Sequence, residues 1–324
     1  MRERSSIVDD MQASTPDIPL ALSRAGVTGV SKAIRIRRGD AETVMAADIE
    51  CTVDLPRDQK GVHMSRFPEL FDEAIGAVVL KEAHLIEALA EHIAQHIVER
   101  QRALRAEVRI VARWPVRRMT PVTKLPTQEM VSLIGIAAAT EAGVRRVVGV
   151  EATGINACPC AQGLIRGLAS ERLTEAGFGD GDVERILQLV PLATHNQRGR
   201  GTLYVGTALD LDAEDLVGIV ERSMSAPIFE LLKRPDELFV VEHAHLQPRF
   251  VEDSVRVALH ELVDTYPELA DGDFALSRQL NLETIHDHDV VAERHGTVAE
   301  LRGELSGGAP VERQTTLSDW LTAT

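Results

Sequence analysis

Lysine and cysteine are both scarce in this 324-residue chain. Lysine occurs five times, and Asp and Glu together outnumber Lys and Arg by 50 to 35. The resulting formal net charge of −15 argues against a protein that binds nucleic acid through its phosphate backbone. Two origins of this composition stay open: an acidic surface adapted to a salt-rich cytoplasm, or a genome that favours arginine codons.

The three cysteines are too few for a disulfide framework and favour a metal-binding or catalytic use. No segment approaches the roughly 20 consecutive apolar residues of a membrane helix. The polar N-terminus contains no apolar stretch typical of a signal peptide, so we expect a cytoplasmic protein. A P-loop is absent, and the glycines of residues 177–182 follow no predicted strand, which argues for a loop and against a dinucleotide-binding turn.

Hydrophobic periodicity predicts a chain of hairpins and helices. Alternation predicts strands over residues 32–38, 42–54, 108–114, 202–211, 239–246 and 274–285, and an apolar hairpin over 130–153. Helical spacing predicts helices over residues 80–104, 164–173, 212–224 and 250–266. The pattern of hairpins followed by helices occurs twice in the chain and indicates an α+β protein. We expect similar modules over 28–128 and 129–302, an N-terminal segment over 1–27 and a mobile tail over 303–324.

The segment NACPCAQ contains two of the cysteines, Cys158 and Cys160, on either side of a proline. Residues two apart in an extended segment point the same way, but the proline and the following helix break that geometry. We therefore expect one thiolate to face a site and the other to pack inward. The spacing is not the C-x-x-C of a zinc ribbon, and two buried small side chains are the alternative interpretation.

Histidines occur in two further polar segments. THNQRGRG is predicted to be a loop before a strand, with His195 as a candidate ligand and a turn with a solvated arginine as the alternative. In ETIHDHD, His286 and His288 end the predicted strand and would share one face. Such a pair can chelate a first-row metal, supported by Asp287 or Asp289, although two exposed polar residues would look the same.

Six segments in this order resemble the type IB GTP cyclohydrolases and together span residues 56–289: QKGVHMSRF, NACPCAQ, THNQR, LLKRPDE, QPRFVED and ETIHDHD. Bacterial members read C-P-C-S-K around the cysteines, whereas C-P-C-A-Q is similar to the archaeal branch. The resemblance implies the tunnel fold, with two ββαα-type modules per chain and antiparallel sheets with helices on one face. It also implies a homo-oligomer, a dimer or tetramer, with active sites at subunit contacts.

The resemblance assigns Cys158, His195 and Glu237 to both catalysis and metal binding, and it adds His286 and His288 as metal ligands. The implied metal is one Fe(II) per active site, with Zn or Mn as alternatives. A bound metal lowers the pKa of water from 15.7 to roughly 7–9, which supplies the hydroxide that must add to C8 of guanine. Imidazoles and a thiolate are suitable ligands for these metals.

The same resemblance places the purine-anchoring carboxylate at Glu252. A carboxylate there can accept hydrogen bonds from the N1–H and the 2-amino group of guanine. If the alignment with the family motif is shifted around Glu237, Glu242 is the reserve candidate for the metal ligand. His243 and His245, in EHAH, depart from the bacterial pattern ERAY and have no implied role.

The triphosphate of the implied substrate, GTP, requires cations, and Lys60, Arg66 and Arg198 are the candidates by residue type. For the archaeal branch the implied products are 7,8-dihydroneopterin 2′,3′-cyclic phosphate, formate and diphosphate. A bacterial-type enzyme would instead give dihydroneopterin triphosphate. A third hypothesis is a metal-free tunnel-fold enzyme that uses a cysteine nucleophile on a deazapurine or pterin.

The segment QTTLSDWL lies outside the family pattern. Gln314, Leu317 and Trp320 resemble the anchors of peptides that bind sliding clamps, but Leu321 stands where a second aromatic residue is usual. We favour the alternative of a short amphipathic turn that folds back on the oligomer. A non-enzymatic metal-buffering or clamp-associated protein is the remaining hypothesis.

Overall fold

The computed structural model describes residues 11–38, 41–79, 86–101 and 103–323. The strands are β1 (Leu22–Arg38), β2 (Ala41–Leu55), β3 (Arg105–Met119), β4 (Pro126–Thr140), β5 (Gly143–Ala157), β6 (Asn196–Gly206), β7 (Ala226–Pro227), β8 (Phe274–Leu282) and β9 (Val290–Thr297). The helices are α1 (Arg66–Val79), α2 (Ile86–Gln101), α3 (Pro159–Glu175), α4 (Asp180–Leu189), α5 (Ala213–Ser223), α6 (Arg234–Leu246), α7 (Val251–Thr265), α8 (Val298–Leu305) and α9 (Leu317–Thr322). The predicted α+β class is confirmed.

The strands form a sheet in the order β1-β2-β3-β4-β5-β6-β8-β9, with β7 paired to β5. The registers of β1 with β2, β2 with β3, β6 with β8 and β8 with β9 are all antiparallel. The predicted hairpins at 32–54 and 130–153 correspond to β1–β2 and β4–β5. The turn predicted at residues 39–40 and the start of the helix predicted from residue 80 lie outside the described residues.

Contacts between Cα atoms divide the chain into two compact units. Unit 1 comprises residues 1–112, 134–148 and 321–324, and unit 2 comprises residues 113–133 and 149–320. The two units alternate along the sequence. The modules over 28–128 and 129–302 stay a prediction. Strands β3, β4 and β5 each contribute residues to both units.

One predicted strand, over residues 239–246, is wrong, because this segment lies in the helix α6. Apolar residues at 239, 240 and 241 suggested a buried strand. In the structure Asp236, Val240 and Ala244 are buried at helical spacing, whereas Leu238 and Val241 are exposed. A proline in the first turn and the capping contacts of Asp236 start the helix.

The segment THNQRGRG was predicted to be a loop, but from Asn196 it belongs to β6. Its glycines suggested a turn. In the structure they mark close approach: a Cβ at Gly201 would lie 2.6 Å from the side chain of Val220, and a Cβ at Gly199 would collide with Gln279. Glycine inside a strand allows such packing and gives the same sequence signal as a turn.

Three further helices, α1, α4 and α8, and the strand β9 were not predicted. The helix α1 begins at Arg66, inside a segment that we placed in a connection, and α4 begins at Asp180, inside the glycine-rich segment at 177–182. Among the described residues, no helix combines the length and the apolar character needed to cross a bilayer.

The core of unit 2 forms where α5 and α7 pack together and against the sheet. Leu216 and Val220 of α5, Val255 and Leu259 of α7, and Leu203 of β6 are all buried. Burial of an aliphatic side chain of this size contributes roughly 1.5–3 kcal/mol. This core holds β6 and the first turn of α7 in place, and both carry predicted site residues.

The C-terminal segment, which was predicted to be mobile, contains the ordered helix α9. Trp320 is 6% exposed, its ring lies 5.9 Å from that of Phe274, and its Nε1 donates a hydrogen bond of 2.8 Å to the carbonyl oxygen of Gly272. Gly206 leaves room for the ring, because a Cβ there would lie 2.6 Å from it. A buried Trp320 is not available as a clamp-binding anchor, so the structure favours the amphipathic turn, folded here onto the same chain.

Substitution of Trp320 by alanine should lower the free energy of unfolding by about 3–5 kcal/mol, because it empties a buried aromatic site. Trp320→Phe keeps the ring contact and loses the Nε1 hydrogen bond, so its cost should be about 1 kcal/mol. Denaturant unfolding of both variants measures the difference. An unchanged midpoint for Trp320→Ala would show that α9 is detached in solution.

Candidate functional site

Cys158 and His195 lie on neighbouring chain segments, at the end of β5 and immediately before β6. The backbone N–H of Cys158 donates to the carbonyl oxygen of His195 at 3.1 Å. The hydroxyl of Thr194 donates to the carbonyl oxygen of Cys158 at 3.0 Å. These two hydrogen bonds continue the pairing of the sheet beyond its regular strands, and they bring together two residues that are 37 positions apart in sequence.

The thiol of Cys158 caps the N-terminus of α3. Its Sγ accepts a hydrogen bond of 3.4 Å from the backbone N–H of Ala161, and Pro159 begins the helix. The partial positive charge at a helix N-terminus stabilises a thiolate, the form that binds metals and acts as a nucleophile. Cys160 was expected to pack inward if Cys158 faces the site, but it is exposed. The first turn of α3 points it outward, so that expectation is wrong.

The ring of His195 belongs to a short chain of hydrogen bonds. Its Nδ1 lies 3.1 Å from Oε1 of Gln197, and Nε2 of Gln197 donates to Oε1 of Glu283 at 3.0 Å. Since an ionised carboxylate only accepts, Gln197 must present its amide NH₂ to Glu283 and its oxygen to His195. His195 therefore donates from Nδ1 and keeps the lone pair of Nε2 for a ligand.

Glu283 is the site residue that the sequence interpretation missed. Its side chain is 6% exposed, its Oε2 lies 3.8 Å from Nδ1 of His195, and Oε2 has no hydrogen-bond partner among the described residues. The register explains its position, because Arg198 pairs with Leu282 and so brings Gln197 opposite Glu283. The available signal was a carboxylate directly after the alternating residues of β8.

Glu283→Gln should reduce turnover of the substrate by about 10–100-fold, the range for residues that orient a metal-binding histidine. The amide of the variant can still accept a hydrogen bond from Gln197. Any loss of turnover therefore measures the effect of the Glu283 carboxylate near His195. Glu293→Gln is the matched control, because Glu293 also lies beside a histidine, 3.3 Å from His295, but on β9. Equal rates for wild type and Glu283→Gln would exclude the carboxylate from the mechanism.

The prediction that His286 and His288 lie on a strand is wrong, because β8 ends at Leu282 and a bend occupies residues 284–288. Their rings are exposed and stacked, with centroids 5.2 Å apart. The carboxylate of Asp289 accepts the backbone N–H of Glu283 at 3.2 Å, which closes this bend. His286 and His288 thus lie on an accessible turn that starts at Glu283, the residue that faces His195.

Glu237 and Glu242 are both exposed on α6. The orientation of this helix is fixed by the neighbouring Asp236, which is fully buried. Asp236 accepts hydrogen bonds from the backbone N–H groups of Val122, Thr123 and Lys233 and from the hydroxyl of Thr123. Burial alone would raise the pKa of Asp236, but these hydrogen bonds hold it well below its usual value.

The two unassigned histidines of α6 have separate surroundings. The ring of His243 stacks on that of Phe239, with centroids 5.4 Å apart. The ring of His245 is buried, and its nitrogens face the carbonyl oxygens of Val241 and Thr194 at 2.7 and 3.3 Å.

A buried polar network connects the predicted metal residues to the predicted guanine reader. Asn156, two residues before Cys158, donates to Oγ of Ser254 at 3.1 Å and to Oδ1 of Asn281 at 3.2 Å. Ser254 lies in the first turn of α7, two residues after Glu252, whose side chain is exposed. This network fixes the N-terminus of α7 to β5, the strand that ends immediately before Cys158.

The predicted triphosphate cations fall in both units. Arg198 is exposed on β6 in unit 2, opposite Leu282. Lys60 and Arg66 are exposed in unit 1, and Lys60 lies 3.9 Å from Asp17. Arg66 lines a cleft of about 800 Å³ together with His63, Arg100 and other polar residues.

The described residues contain no group of three or more His, Cys, Asp or Glu side chains arranged to hold a metal. The structure brings together Cys158, His195 and Glu283, through Gln197, and it does not bring Glu237 or the pair at 286 and 288 into one cluster with them. The donor types present nevertheless fit a transition metal: a cysteine sulfur at a helix N-terminus and an imidazole whose Nδ1 faces Gln197. The buried Oε2 of Glu283 has a lone pair to offer as well.

Comparison with known proteins decides the family. Residues 8–292 match the sequence profile of the family described as Type I GTP cyclohydrolase folE2. The chain belongs to the type I GTP cyclohydrolase family. It is thus a GTP cyclohydrolase, as the six segments predicted.

Relatives in this family come from methanogenic archaea. The GTP cyclohydrolase MptA of Methanococcus aeolicus is 40% identical over 305 residues, which cover 91% of this chain and 99% of the relative. The GTP cyclohydrolase MptA of Methanococcoides burtonii is 41% identical over 305 residues, covering 91% of this chain and 96% of the relative. That of Methanosarcina acetivorans is 40% identical over 308 residues, covering 92% and 97%.

Among solved structures, the fold is similar to that of uricase from Arthrobacter globiformis. The TM-score is 0.51 at 8% sequence identity, and the match covers 85% of this chain and 93% of the uricase chain. At this identity the similarity concerns the fold alone. It agrees with the predicted tunnel-fold class of antiparallel sheet and helices.

Proposed function

We propose that this GTP cyclohydrolase opens the imidazole ring of guanine in GTP with release of formate, and that it gives 7,8-dihydroneopterin 2′,3′-cyclic phosphate and diphosphate. The observation that carries the proposal is the contact of Cys158 with His195, whose ring is oriented by Gln197 and Glu283. The cyclic phosphate product, rather than the triphosphate of a bacterial-type enzyme, is what the resemblance of C-P-C-A-Q to the archaeal branch implies, and relatives named GTP cyclohydrolase MptA are consistent with that branch.

The proposed metal is one Fe(II) per active site, with Zn or Mn as alternatives. Cys158 and His195 would hold it with Glu237, and His286 and His288 are the further candidates. The bound metal would lower the pKa of water and so make hydroxide available near neutral pH for addition to C8 of guanine. Ligands on an exposed helix and an exposed bend suit a site that is completed by a neighbouring copy of the chain.

The chain's own residues have distinct proposed roles. Glu252 accepts hydrogen bonds from the N1–H and 2-amino group of guanine, which selects guanine over adenine. Lys60, Arg66 and Arg198 neutralise the triphosphate. Glu283 keeps the Nδ1 proton of His195 in place through Gln197, so that Nε2 remains free for its ligand.

We also propose that the active protein is a homo-oligomer, a dimer or tetramer, built from two ββαα-type modules per chain. The resemblance to the tunnel-fold family supports this arrangement, because it implies active sites at subunit contacts. Mixing two inactive variants, one altered at Arg66 and one at Cys158, should restore activity if different copies contribute to one site.

The proposal is tested by anaerobic incubation of metal-free protein with GTP and Fe(II), Zn(II) or Mn(II). Formate and, after oxidation, a fluorescent pterin should appear, together with one diphosphate per formate. Formate without diphosphate would indicate the triphosphate product, and turnover that resists chelators would indicate a metal-free cysteine mechanism. The absence of formate with all three metals would overturn the proposed reaction.

A further inference from the structure

The side chains of Gln162 and His245 contact the loop that leads into His195. This loop, residues 190–195, connects α4 to β6 and contains no regular secondary structure. Gln162, in the first turns of α3, donates from its Nε2 to the carbonyl oxygen of Leu192 at 2.9 Å and to that of His245 at 2.7 Å. One primary amide therefore binds the loop and the C-terminal turn of α6 at the same time.

His245 contacts the same loop from the other side. Its Nε2 lies 3.3 Å from the carbonyl oxygen of Thr194, and its Nδ1 lies 2.7 Å from that of Val241, one turn earlier in α6. Its side chain is buried, 8% exposed, so that water does not readily replace these contacts. Thr194 in turn donates to the carbonyl oxygen of Cys158.

The amide of Gln162 satisfies the carbonyl oxygen of Leu192, which the irregular loop leaves unpaired. The imidazole of His245 donates from one nitrogen when neutral, and a proton on Nε2 serves the carbonyl oxygen of Thr194 in the same way. A buried carbonyl without a donor costs about 1–3 kcal/mol, so loss of Gln162 or His245 favours a different loop conformation. Such a change would move His195 first, because it follows Thr194 directly. The hydrogen bond from the N–H of Cys158 to the carbonyl oxygen of His195 would weaken with it.

We propose that Gln162 and His245 are positioning residues that fix the loop at 190–195 and thereby hold the backbone of His195 in contact with that of Cys158. Neither residue is assigned to substrate or metal, and each acts through His195. The catalytic consequence rests on the proposed cyclohydrolase reaction. The structural consequence, that an amide donor and a buried imidazole hold the loop, does not depend on that reaction.

Gln162→Met tests the proposal, because it keeps the side-chain length and removes both N–H donors. The backbone amide of Cys158 should exchange hydrogen about 10-fold faster, as expected when one or two hydrogen bonds of about 1 kcal/mol are lost. The kcat for GTP should fall by a similar factor with KM nearly unchanged, since Glu252 lies on α7. Gln162→Lys supplies a donor again and should recover most of both losses.

Gln188→Met is the matched control, because Gln188 lines one surface cleft together with Gln162 and His245 and, among the described residues, donates to Glu184 within α4. It should leave exchange at Cys158 and kcat at wild-type values. His245→Phe should act in the same direction as Gln162→Met, and the double variant should cost less than the sum of the two.

The proposal would be overturned if Gln162→Met and His245→Phe both showed wild-type exchange at Cys158. It would also be overturned if kcat fell without any change in exchange, or if Gln162→Lys behaved like Gln162→Met. A wild-type protein without GTP turnover would instead contradict the proposed reaction, while the exchange measurement would still decide whether the loop is held as described.

Discussion

His195→Asn is expected to abolish GTP turnover and to remove iron from the protein while the fold remains intact. The side chain of His195 is only 14% exposed, and its Nδ1 is engaged by Gln197, so Nε2 is the atom left for a metal. Asparagine is too short to place a donor at that position. Turnover should fall by more than about 100-fold, above the range for residues that only orient a ligand.

The measurements are iron content after anaerobic reconstitution, formate release and thermal unfolding. His260→Asn is the matched control, because His260 is an exposed histidine of α7 that pairs with Asp264 at 3.1 Å. It should retain wild-type iron and activity. Wild-type iron content in His195→Asn would exclude His195 as a ligand, even if activity were lost. If His195→Asn had lower thermal stability but full activity, the role of His195 would be limited to packing.

Glu252→Gln is expected to keep the metal and to lose recognition of guanine. Two hydrogen bonds from guanine to a carboxylate contribute about 1.5–3 kcal/mol each, so kcat/KM for GTP should fall by roughly 10²–10⁴-fold. The variant amide places an NH₂ group against the N1–H of guanine, which leaves one buried donor unpaired. Inosine triphosphate lacks the 2-amino group, so the preference of the wild type for GTP over inosine triphosphate should largely disappear.

The control for this variant is Glu261→Gln, on the same helix and paired with Arg222 at 3.0 Å. It should leave the preference for GTP unchanged, because it lies more than two turns from the N-terminus of α7. Metal content should equal that of wild type in both variants. If Glu252→Gln retains normal GTP binding and the normal preference, the guanine reader is another residue.

The sequence allowed the class of fold and most elements to be predicted where one signal dominated. The strand pairs β1–β2 and β4–β5 and the helices α2, α3, α5 and α7 follow directly from alternation or from helical spacing. The helix α6 did not, because three consecutive apolar residues fit a strand as well as a helix. What decides the conformation there is the burial of Asp236, which depends on backbone N–H groups at Val122 and Thr123 more than 110 residues earlier.

The candidate site shows the same division. Cys158 and His195 were predicted from residue type, and the structure places them in contact through the backbone. Glu283 could not be predicted to face His195, because its place depends on the register of β8 against β6. A shift of that register by one residue would turn the carboxylate to the other face of the sheet. The stacked histidines at 286 and 288 leave the strand for the same reason: pairing ends at Leu282.

The sequence by itself determined the family, the reaction class and the residues whose chemistry suits it, because six short segments keep their order and spacing. Only the tertiary structure decided which of those residues meet. Strand register and buried hydrogen bonds join positions far apart in the chain, and neither leaves a local pattern in the sequence. The backbone contact of Cys158 with His195 depends in this way on the pairing of the chain at the ends of β5 and β6, and the position of the His195 ring depends on Gln197 and Glu283.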